Sequence, residues 1–477
     1  MKKCIYLLLP IIMIVLISCG DKDIVYKGVN AEDFGFSPNN TANENVIALQ
    51  KAIDSNNAVY VKTPGVYDLN ATIYLKSNCS ITFGPAVYIR KKTDDNGYGA
   101  EYVFINRGAY TRTYDENIEI NGLNLICNKL DDRGGTIQGI QGQIAFFYIK
   151  NLTIKNFNCT DLLLYRFCLQ ICEFENILID NARIEGDKDG IHLGVGKNFI
   201  IRNSTFSTFD DPIALNAHDY DTSNPTVGWI ENGLIENCYD LEGHGTTGFF
   251  CRILAGSWLD WHQGMELQKS DIVVSNGRLY RVISNVLGQK YISHTAPTHT
   301  NGYQVIDGIN WYMMQDNVVY NAGCRNIHFR NIYLQKERDV AFSLHFDNDN
   351  YSRSYYPNSQ APRQDNITFE KIHLQNKFID FISCMTPVDT IKMIDINWSG
   401  GNVSFQHIDT DGIDYKDAYI KFENCRFSED KGIILTRGNR KATLSIRNSI
   451  MENTSSRLGL YGNIAVKESD IPFYYIE

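Results

Sequence analysis

The chain has 477 residues, of which 43% are hydrophobic, so it can bury a sizeable core. Its formal net charge at neutral pH is -10, from 45 basic and 55 acidic residues, which argues against nucleic acid or an acidic membrane surface as the main partner. The 28 Tyr suit contacts with sugar faces and equally suit the filling of a β core.

The N-terminus has the pattern of an export signal. Residues 5–17 are almost entirely apolar and follow two lysines, but this run is short for a membrane span. The Ser before Cys19 and Gly20 resembles a bacterial lipoprotein signal. The resemblance implies a signal peptide over 1–19, lipidation of Cys19, a tether over 20–30 and a lipid anchor at a bacterial outer membrane. A plain signal peptide is the alternative.

The next segment is predicted to cap a coiled β structure. Residues 43–54 (NENVIALQKAID) form an amphipathic helical pattern with apolar Val46, Ile47, Leu49 and Ile53. A helix here would cover the open end of the coil, where unpaired strand edges invite aggregation.

A repeat begins at about residue 117: an alternating apolar strand, an Asn or small polar residue, a second strand, a turn and a third strand. Copies begin at Asn176, Asn198, Gly233, Asn326, Asn366 and Tyr419. Asn181 and Asn203, at the bends of two neighbouring copies, are 22 residues apart, and this period indicates a parallel β-solenoid. Asn at a bend can adopt the left-handed conformation and bond its amide to the next coil.

Ten cysteines lie beyond the signal, without the spacing of a metal site. They are Cys79, Cys127, Cys159, Cys168, Cys172, Cys238, Cys251, Cys324, Cys384 and Cys425. Several occupy an equivalent repeat position, which predicts buried thiols inside the solenoid. Disulfides are the alternative in an exported protein.

Two neighbouring copies of the repeat carry clustered acids. Asp189 lies eight residues after Asn181, and Asp211 lies eight residues after Asn203, preceded by Asp210. Coils of a parallel solenoid are ~4.8 Å apart, so these three carboxylates are predicted to share one patch. Like charges at that distance raise each other's pKa, which points to a functional site.

The same count places cations beside the acids. It brings Lys188, His244, Arg338 and Asp339 into the column, whereas the next coil has Phe378 there. The column is therefore predicted to end in a bounded, substrate-binding cleft. A solvated polar ladder on one edge of the solenoid is the alternative.

Residues 255–316 break the repeat. Asn276-Gly277 between alternating strands predicts a hairpin. The segment resembles small antiparallel β modules of phage tail proteins and carbohydrate-active enzymes, and we interpret it as an insertion between β-helix parts at 31–254 and 317–477. Trp258, Trp261 and Trp311 could stack on sugar or pack the core of the module.

The start of the coils resembles a known superfamily. Residues 33–36 (DFGF), the predicted helix and the strands around 60–67 and 73–78 are similar to the opening of pectin-lyase-like right-handed parallel β-helix proteins. The resemblance implies an all-β fold, a right-handed parallel β-helix with an N-terminal capping helix and a small antiparallel insertion. That superfamily carries many chemistries, so the fold alone does not assign one.

The acid motifs resemble the polygalacturonase family, glycoside hydrolase family 28. Asp189-Gly190, Asp210-Asp211 and Gly243-His244-Gly245 are similar to three of its motifs. The resemblance implies that Asp210 is the general acid and that Asp189 and Asp211 activate water. Inverting enzymes of this kind hold acid and base ~6.5–9.5 Å apart.

Two departures concern the substrate. Lys188 stands where the family has Thr, and Arg252-Ile253-Leu254 lacks the Lys of the family motif that grips a uronate. Lys188, Arg252 or Arg338 could substitute for it. A more distant resemblance to the family 110 α-galactosidases implies a neutral galactoside instead.

Two further groups are predicted near the substrate. His218 leaves the coil of Asp211, and His345 begins a polar loop; both are predicted to bind substrate. Asp347 and Asp349 could bind Ca²⁺, but the full ligand series of a calcium loop is missing. Surface turns are the alternative for both groups, and neither a cofactor nor a resident metal is predicted.

Three functions remain open at this point. The first is an inverting glycoside hydrolase acting on a polysaccharide or oligosaccharide, without a nucleic-acid partner and with membrane contact only through the lipid. The second is a polysaccharide lyase of the same fold, which needs a Lys, Arg, His or Tyr base. The third is a glycan-binding solenoid without catalysis.

Overall fold

A computed structural model describes residues 26–130, 135–243, 245–406 and 417–477. These residues form a right-handed parallel β-helix, which confirms the fold predicted from the repeat. Each coil has three faces, which we number in the order that the chain visits them. The proposed lipidation site Cys19 lies outside the described residues, as does His244.

The strands stack in register on each face. The first face contains Val29–Asn30, Ala58–Val61, Cys79–Phe83, Asp115–Asn121, Gly196–Arg202, Thr390–Ile394, Ala418–Glu423, Lys441–Arg447 and Asn463–Ser469. The second face contains Gly65–Leu69, Val87–Lys91, Asn124–Ile126, Thr205–Thr208, Asn397–Trp398, Arg426–Phe427 and Ile450–Met451. The third face contains Ile73–Leu75, Phe104–Asn106, Ile191–Leu193, Ile213–Asn216, Cys251–Leu254, Val340–His345, Asp380–Cys384, Asn402–Phe405, Ile434–Thr436, Leu458–Tyr461 and Phe473–Ile476.

Five longer strands continue through bends. Ile230–Asp240, Cys324–Leu334 and Asp365–Leu374 cover the first and second faces, and Ile144–Leu162 and Leu169–Gly186 also include the third. Alternate side chains point inward, so that Ile177 lies over Phe199 and Ile179 over Ile201, all at most 3% exposed. The core is therefore a set of apolar columns parallel to the helix axis.

Asparagines make the bends, as predicted. Asn176 and Asn198 have φ angles of 59° and 60°, in the left-handed region that Asn tolerates. The Asn198 amide donates to Asn176 Oδ1 at 3.0 Å. A second ladder follows the next bend, where Asn237 donates to Asn203 at 3.2 Å. Each coil is thus fixed to its neighbour at two corners.

The predicted cap is a helix at Ala42–Ser55, with a capping box between Thr41 and Glu44. It packs on the first coils and buries Leu49, whereas Ile47, expected on the apolar side, is 60% exposed. A 3₁₀ helix at Ala31–Phe34 and a short helix at Gly108–Thr111 complete the helical elements of the described chain. Across the described ranges, no helix has the length and apolar character needed to cross a membrane.

The predicted insertion leaves the third face after Cys251–Leu254 and rejoins the first face at Cys324–Leu334. Its strands are Gly256–Ser257, Leu259–Asp260, Met265–Gln268, Ile272–Ser275, Arg278–Ile283, Lys290–Ser293, Tyr303–Ile306, Ile309–Gln315 and Asn321–Ala322. Asn276-Gly277 makes the predicted two-residue hairpin, since Ser275 pairs with Arg278. Trp258 and Trp311 are at most 2% exposed, so they pack in the interior and do not stack on a sugar.

The ten cysteines from Cys79 to Cys425 are buried free thiols, as the repeat position predicts. Burial raises the pKa of the Cys79 thiol to about 11. These thiols therefore serve as small apolar residues of the core.

Candidate active site

The acids lie in the turns that lead from the second face to the third. Asp189 and Asp211 each stand two residues before a strand of the third face, and the first residues of those strands, Ile191 and Ile213, pair with each other. The Gly190 amide donates to the Asp211 carbonyl at 2.9 Å. The turns of neighbouring coils therefore stack as the strands do, which is why residues 22 apart meet.

The three predicted carboxylates form one cluster. Asp189, Asp210 and Asp211 each contribute an oxygen to a group whose members all lie within 4.8 Å of one another. Asp189 and Asp211 are 3% and 2% exposed, whereas the Asp210 side chain is 26% exposed. Asp210 is therefore the member most open to a ligand.

Lys188 supplies a cation inside this cluster. Its ammonium lies 3.4 Å from Asp189 Oδ1 and donates to Asp210 Oδ2 on the next coil. Burial opposes the charge on Lys188, but the two carboxylates outweigh it and hold its pKa above the usual value. Lys188 therefore stays protonated and balances part of the charge of the two acids.

His192 contacts Asp189 and fixes the orientation of its carboxylate. Its Nδ1 lies 3.2 Å from Asp189 Oδ2, and its Nε2 lies 3.1 Å from Asn224 Oδ1. The imidazole is fully buried and stacks on Phe167 at 4.0 Å between ring centroids. These contacts fix the Asp189 carboxylate in one orientation.

The environment divides the three acids. Burial alone would raise the pKa of Asp189, but Lys188 and the His192 hydrogen bond hold that pKa well below its usual range. Burial and then the charge of Asp189 raise the pKa of Asp210. Burial and then Asp210 raise the pKa of Asp211 further. The pKa is thus lowered at one carboxyl group and raised at its two neighbours, an unequal division of the kind that acid–base catalysis uses.

The next coil does not keep the repeat count on which the predicted column rests, while His244 itself lies outside the described residues. Counting back from the third face, where Ile213 pairs with Cys251, places Phe249 beside Asp211. The Phe249 amide donates to Asp211 Oδ1 at 2.8 Å, and a Cβ on Gly248 would lie 2.6 Å from that oxygen. The loop before Cys251 is longer than the turn of the preceding coil, so counting from the Asn bend loses register.

Arg338 was predicted to bind substrate, and this prediction is wrong. Its side chain is fully buried and pairs with Asp240, with Nε 2.7 Å from Oδ2. It also donates to the backbone carbonyls of Thr208 and Asp210 at 3.0 and 3.3 Å. Arg338 therefore holds the backbone of the turn that carries Asp210 and Asp211. Asp339, which follows Arg338, is exposed, and its role with substrate stays a prediction.

Arg252 reaches the cluster from the strand Cys251–Leu254 on the third face. Its guanidinium lies 3.0 Å from Asp347 Oδ2 and 3.5 Å from Asp219 Oδ1. Burial opposes its charge, but Asp219 and then Asp347 raise its pKa. The predicted position near substrate is compatible with its 17% side-chain exposure, yet its charge is already balanced.

The two predicted histidines differ. His218 is 1% exposed and lies against Trp258, and burial lowers its pKa to about 3, so it is a neutral core residue and not a substrate ligand. His345 is partly exposed, and its Nε2 lies 2.8 Å from Asp347 Oδ1. Asp349 accepts the amides of its own loop. Asp347 and Asp349 thus each have partners within the protein.

Several residues of the site were missed in the sequence. His192 could have been found, because it lies three residues after Asp189 on the same turn and strand. Asn224 and Phe249 come from loops between coils, whose paths no repeat position reveals, whereas Asp219 and Tyr220 follow the predicted His218 directly. Their contributions depend on contacts made only after the coils stack.

Comparisons with known proteins support the fold. No family model matches this chain, and no curated protein matches. The N-terminal fragment of bacteriophage phi29 gene product 12 aligns with a TM-score of 0.50 at 14% identity, over 92% of this chain and 65% of that fragment. An exopolygalacturonase from Thermotoga maritima aligns with a TM-score of 0.45 at 13% identity, over 90% and 92% of the two chains.

A surface adhesin of Streptococcus pneumoniae, PfbA, aligns with a TM-score of 0.44 at 13% identity, over 92% of this chain and 100% of the adhesin. The alignment with the phage fragment agrees with the parallel β-helix fold that the strand pairing of this chain shows. At these identities the likeness concerns the fold alone, and the site must be judged by its own chemistry.

Proposed function

We propose that this protein is a glycoside hydrolase that uses Asp189, Asp210 and Asp211 on a polysaccharide or oligosaccharide. The observation that carries the proposal is the opposite proton affinity within one cluster. The pKa of Asp189 is lowered, while the pKa values of Asp210 and Asp211 are raised. Inverting hydrolysis of a glycosidic bond needs one carboxylic acid to protonate the leaving oxygen and one carboxylate to activate the attacking water.

Asp210 is the general acid in this proposal. It is the most exposed member of the cluster, with a side chain 26% exposed, and burial and the charge of Asp189 raise its pKa, so that it takes up a proton more readily than Asp189. It shares that proton with Asp211, because two adjacent carboxyl groups titrate as a pair. Asp210 can therefore donate to a glycosidic oxygen held at the mouth of the cluster.

Water is the proposed nucleophile. Asp189 and Asp211 are too buried for direct attack on an anomeric carbon, and Asp189 already contacts Lys188 and His192. Oxygens up to 4.8 Å apart can share one water that hydrogen-bonds each at about 2.7 Å. This spacing is shorter than the ~6.5–9.5 Å of inverting enzymes, so the proposed inversion rests on burial rather than on distance.

The lyase alternative fits the site less well. A lyase would need an unprotonated base, but the carboxylates of Asp189 and Asp210 outweigh burial and raise the pKa of Lys188. Arg252 is likewise held charged by Asp219 and Asp347. Hydrolysis requires carboxyl groups with unequal pKa values, and the cluster has them.

The test is product analysis over a panel of pectins, galactans and host glycans. Hydrolysis is expected to release reducing ends without ultraviolet-absorbing unsaturated products, and nuclear magnetic resonance should show an inverted anomer first. Unsaturated products would establish the lyase instead. Glycan binding without any cleavage would establish the non-catalytic solenoid. A retained anomer would exclude direct displacement of the leaving group by water.

The location is a separate proposal. We propose that Cys19 carries lipid and holds the enzyme at a bacterial outer membrane, on the strength of the signal pattern alone. Cys19→Ala should move the protein from the membrane to the soluble fraction and abolish labelling by a fatty-acid analogue. Unchanged membrane association and labelling of the variant would contradict the anchor.

A further inference from the structure

We infer that the sugar held beside the acid cluster is uncharged and is not a uronate. This inference rests on the proposed function, because it names the substrate class of the same site. It follows from the charges that surround the cluster and from the aromatic residues at its rim. It opposes the substrate class that the acid motifs alone would suggest.

Arg252 is the cation best placed to grip a uronate, but two carboxylates already hold it. Asp347 Oδ2 lies 3.0 Å and Asp219 Oδ1 3.5 Å from one terminal nitrogen of Arg252. The Asp219 and Asp347 side chains are 1% and 12% exposed, so water screens these pairs weakly. A third carboxylate at Arg252 would meet two like charges at close range.

Lys188 is committed in the same way, to Asp189 and Asp210. A third cation, Arg281, is 1% exposed and donates to the backbone carbonyls of Asn224 and Asp219. Even with Asp210 and Asp211 sharing the proton assigned to them above, three further carboxyl groups face these two cations in the described residues. Asp189 faces Lys188, and Asp219 and Asp347 face Arg252. A uronate would add a further anion to an already acidic site, and that arrangement selects against it.

The rim suits an uncharged sugar instead. Phe249 is half-buried beside Asp211, and Tyr220 is half-buried next to Asp219. Aromatic rings offer an apolar surface to the C–H face of a sugar. The neighbouring carboxylates accept hydrogen bonds from sugar hydroxyls, and such charge-assisted bonds are stronger than neutral ones.

The test compares matched sugars that differ only in the carboxyl group. Binding of galacturonan oligomers and of the same oligomers after carboxyl reduction is measured by calorimetry, together with gluco- and manno-configured pairs. At least one reduced member is expected to bind tenfold or more tighter than its uronate. Equal or tighter binding of the uronates, or no binding of any reduced oligomer, overturns the inference.

A variant tests whether Asp347 keeps Arg252 from binding a uronate. Asp347→Asn removes one of the two carboxylates at Arg252 and is expected to improve uronate binding tenfold, with binding of the reduced oligomer unchanged. Asp349→Asn, on the same loop and exposed, is the matched control and should leave both affinities as they are. If Asp347→Asn folds, as judged by circular dichroism, and leaves uronate binding unimproved, the balancing role assigned to Asp347 is wrong.

Failure of the two proposals can be told apart. Binding selectivity does not require turnover, so a protein that prefers uncharged oligomers without cleaving them keeps this inference and loses the hydrolase. A protein that cleaves galacturonan best keeps the hydrolase and loses this inference.

Discussion

The ammonium of Lys188 lies 3.4 Å from Asp189 Oδ1 while it also donates to Asp210 on the next coil. One cation thus contacts both carboxyl groups to which hydrolysis assigns opposite roles. Together with His192 it outweighs burial at Asp189 and lowers that pKa, whereas burial and the charge of Asp189 keep the pKa of Asp210 raised. The contacts of Lys188 and His192 with Asp189 therefore lower the proton affinity of Asp189 and leave Asp210 as the proton donor.

Asp210→Asn is expected to lower kcat by about 10²–10⁴-fold, because an amide cannot protonate the leaving oxygen. Substrate binding should remain, since the amide keeps the shape of the side chain. Rates and affinities are measured on the best glycan of the panel. Glu337→Gln, an exposed carboxylate on a nearby turn, is the control and should retain activity. A wild-type rate for Asp210→Asn would remove Asp210 from the mechanism.

Lys188→Met is expected to move both limbs of the pH profile of kcat/KM upward. Lys188 lowers the pKa of Asp189 and also opposes the rise at Asp210, so its loss raises both values. The acid limb, set by ionisation of Asp189, then appears at higher pH, and so does the alkaline limb set by Asp210. Limbs that stay in place while kcat falls would show that Lys188 acts only on packing.

Asp211→Asn is expected to stabilise the protein at alkaline pH while it lowers activity. The folded pKa of Asp211 is raised, so ionisation costs stability once the pH exceeds the unfolded value near ~3.9. The cost grows until the pH passes the folded pKa, at about 1.4 kcal/mol per unit of difference. The Asn oxygen can still accept the Phe249 amide.

Urea unfolding of the wild type and Asp211→Asn is therefore compared at pH 4 and pH 8. The variant should gain in midpoint at the higher pH and gain little at the lower one. An equal shift at both values would mean that the effect comes from packing and not from proton linkage.

Arg338→Ala is expected to destabilise the protein by about 3–5 kcal/mol, because it leaves Asp240 buried without its partner. Thermal unfolding measures this loss. The double variant with Asp240→Asn should recover part of it, since no unpaired charge then remains buried. If Arg338→Ala instead raises KM and leaves the unfolding temperature unchanged, Arg338 touches substrate after all.

Much of the fold could be predicted from the sequence because its causes are local. Alternating apolar residues form the inward columns, and Asn at the bends accepts a positive φ, as at Asn176 and Asn198. The hairpin at Asn276-Gly277 and the helix over Ala42–Ser55 follow from turn and capping chemistry within a few residues. The meeting of Asp189 with Asp210 and Asp211 follows from the 22-residue period alone.

The sequence by itself thus determined the β-helix, its cap and the acid cluster. Only the tertiary structure decided what surrounds the acids, because loops of unequal length break the count between coils. It placed Phe249 beside Asp211 and buried Arg338 under the turn. It also brought Asp347 to Arg252 across 95 residues. Bend chemistry acts within a few residues, and the period relates neighbouring coils. The charge balance of the site instead depends on contacts between residues far apart in the chain, which no local pattern encodes.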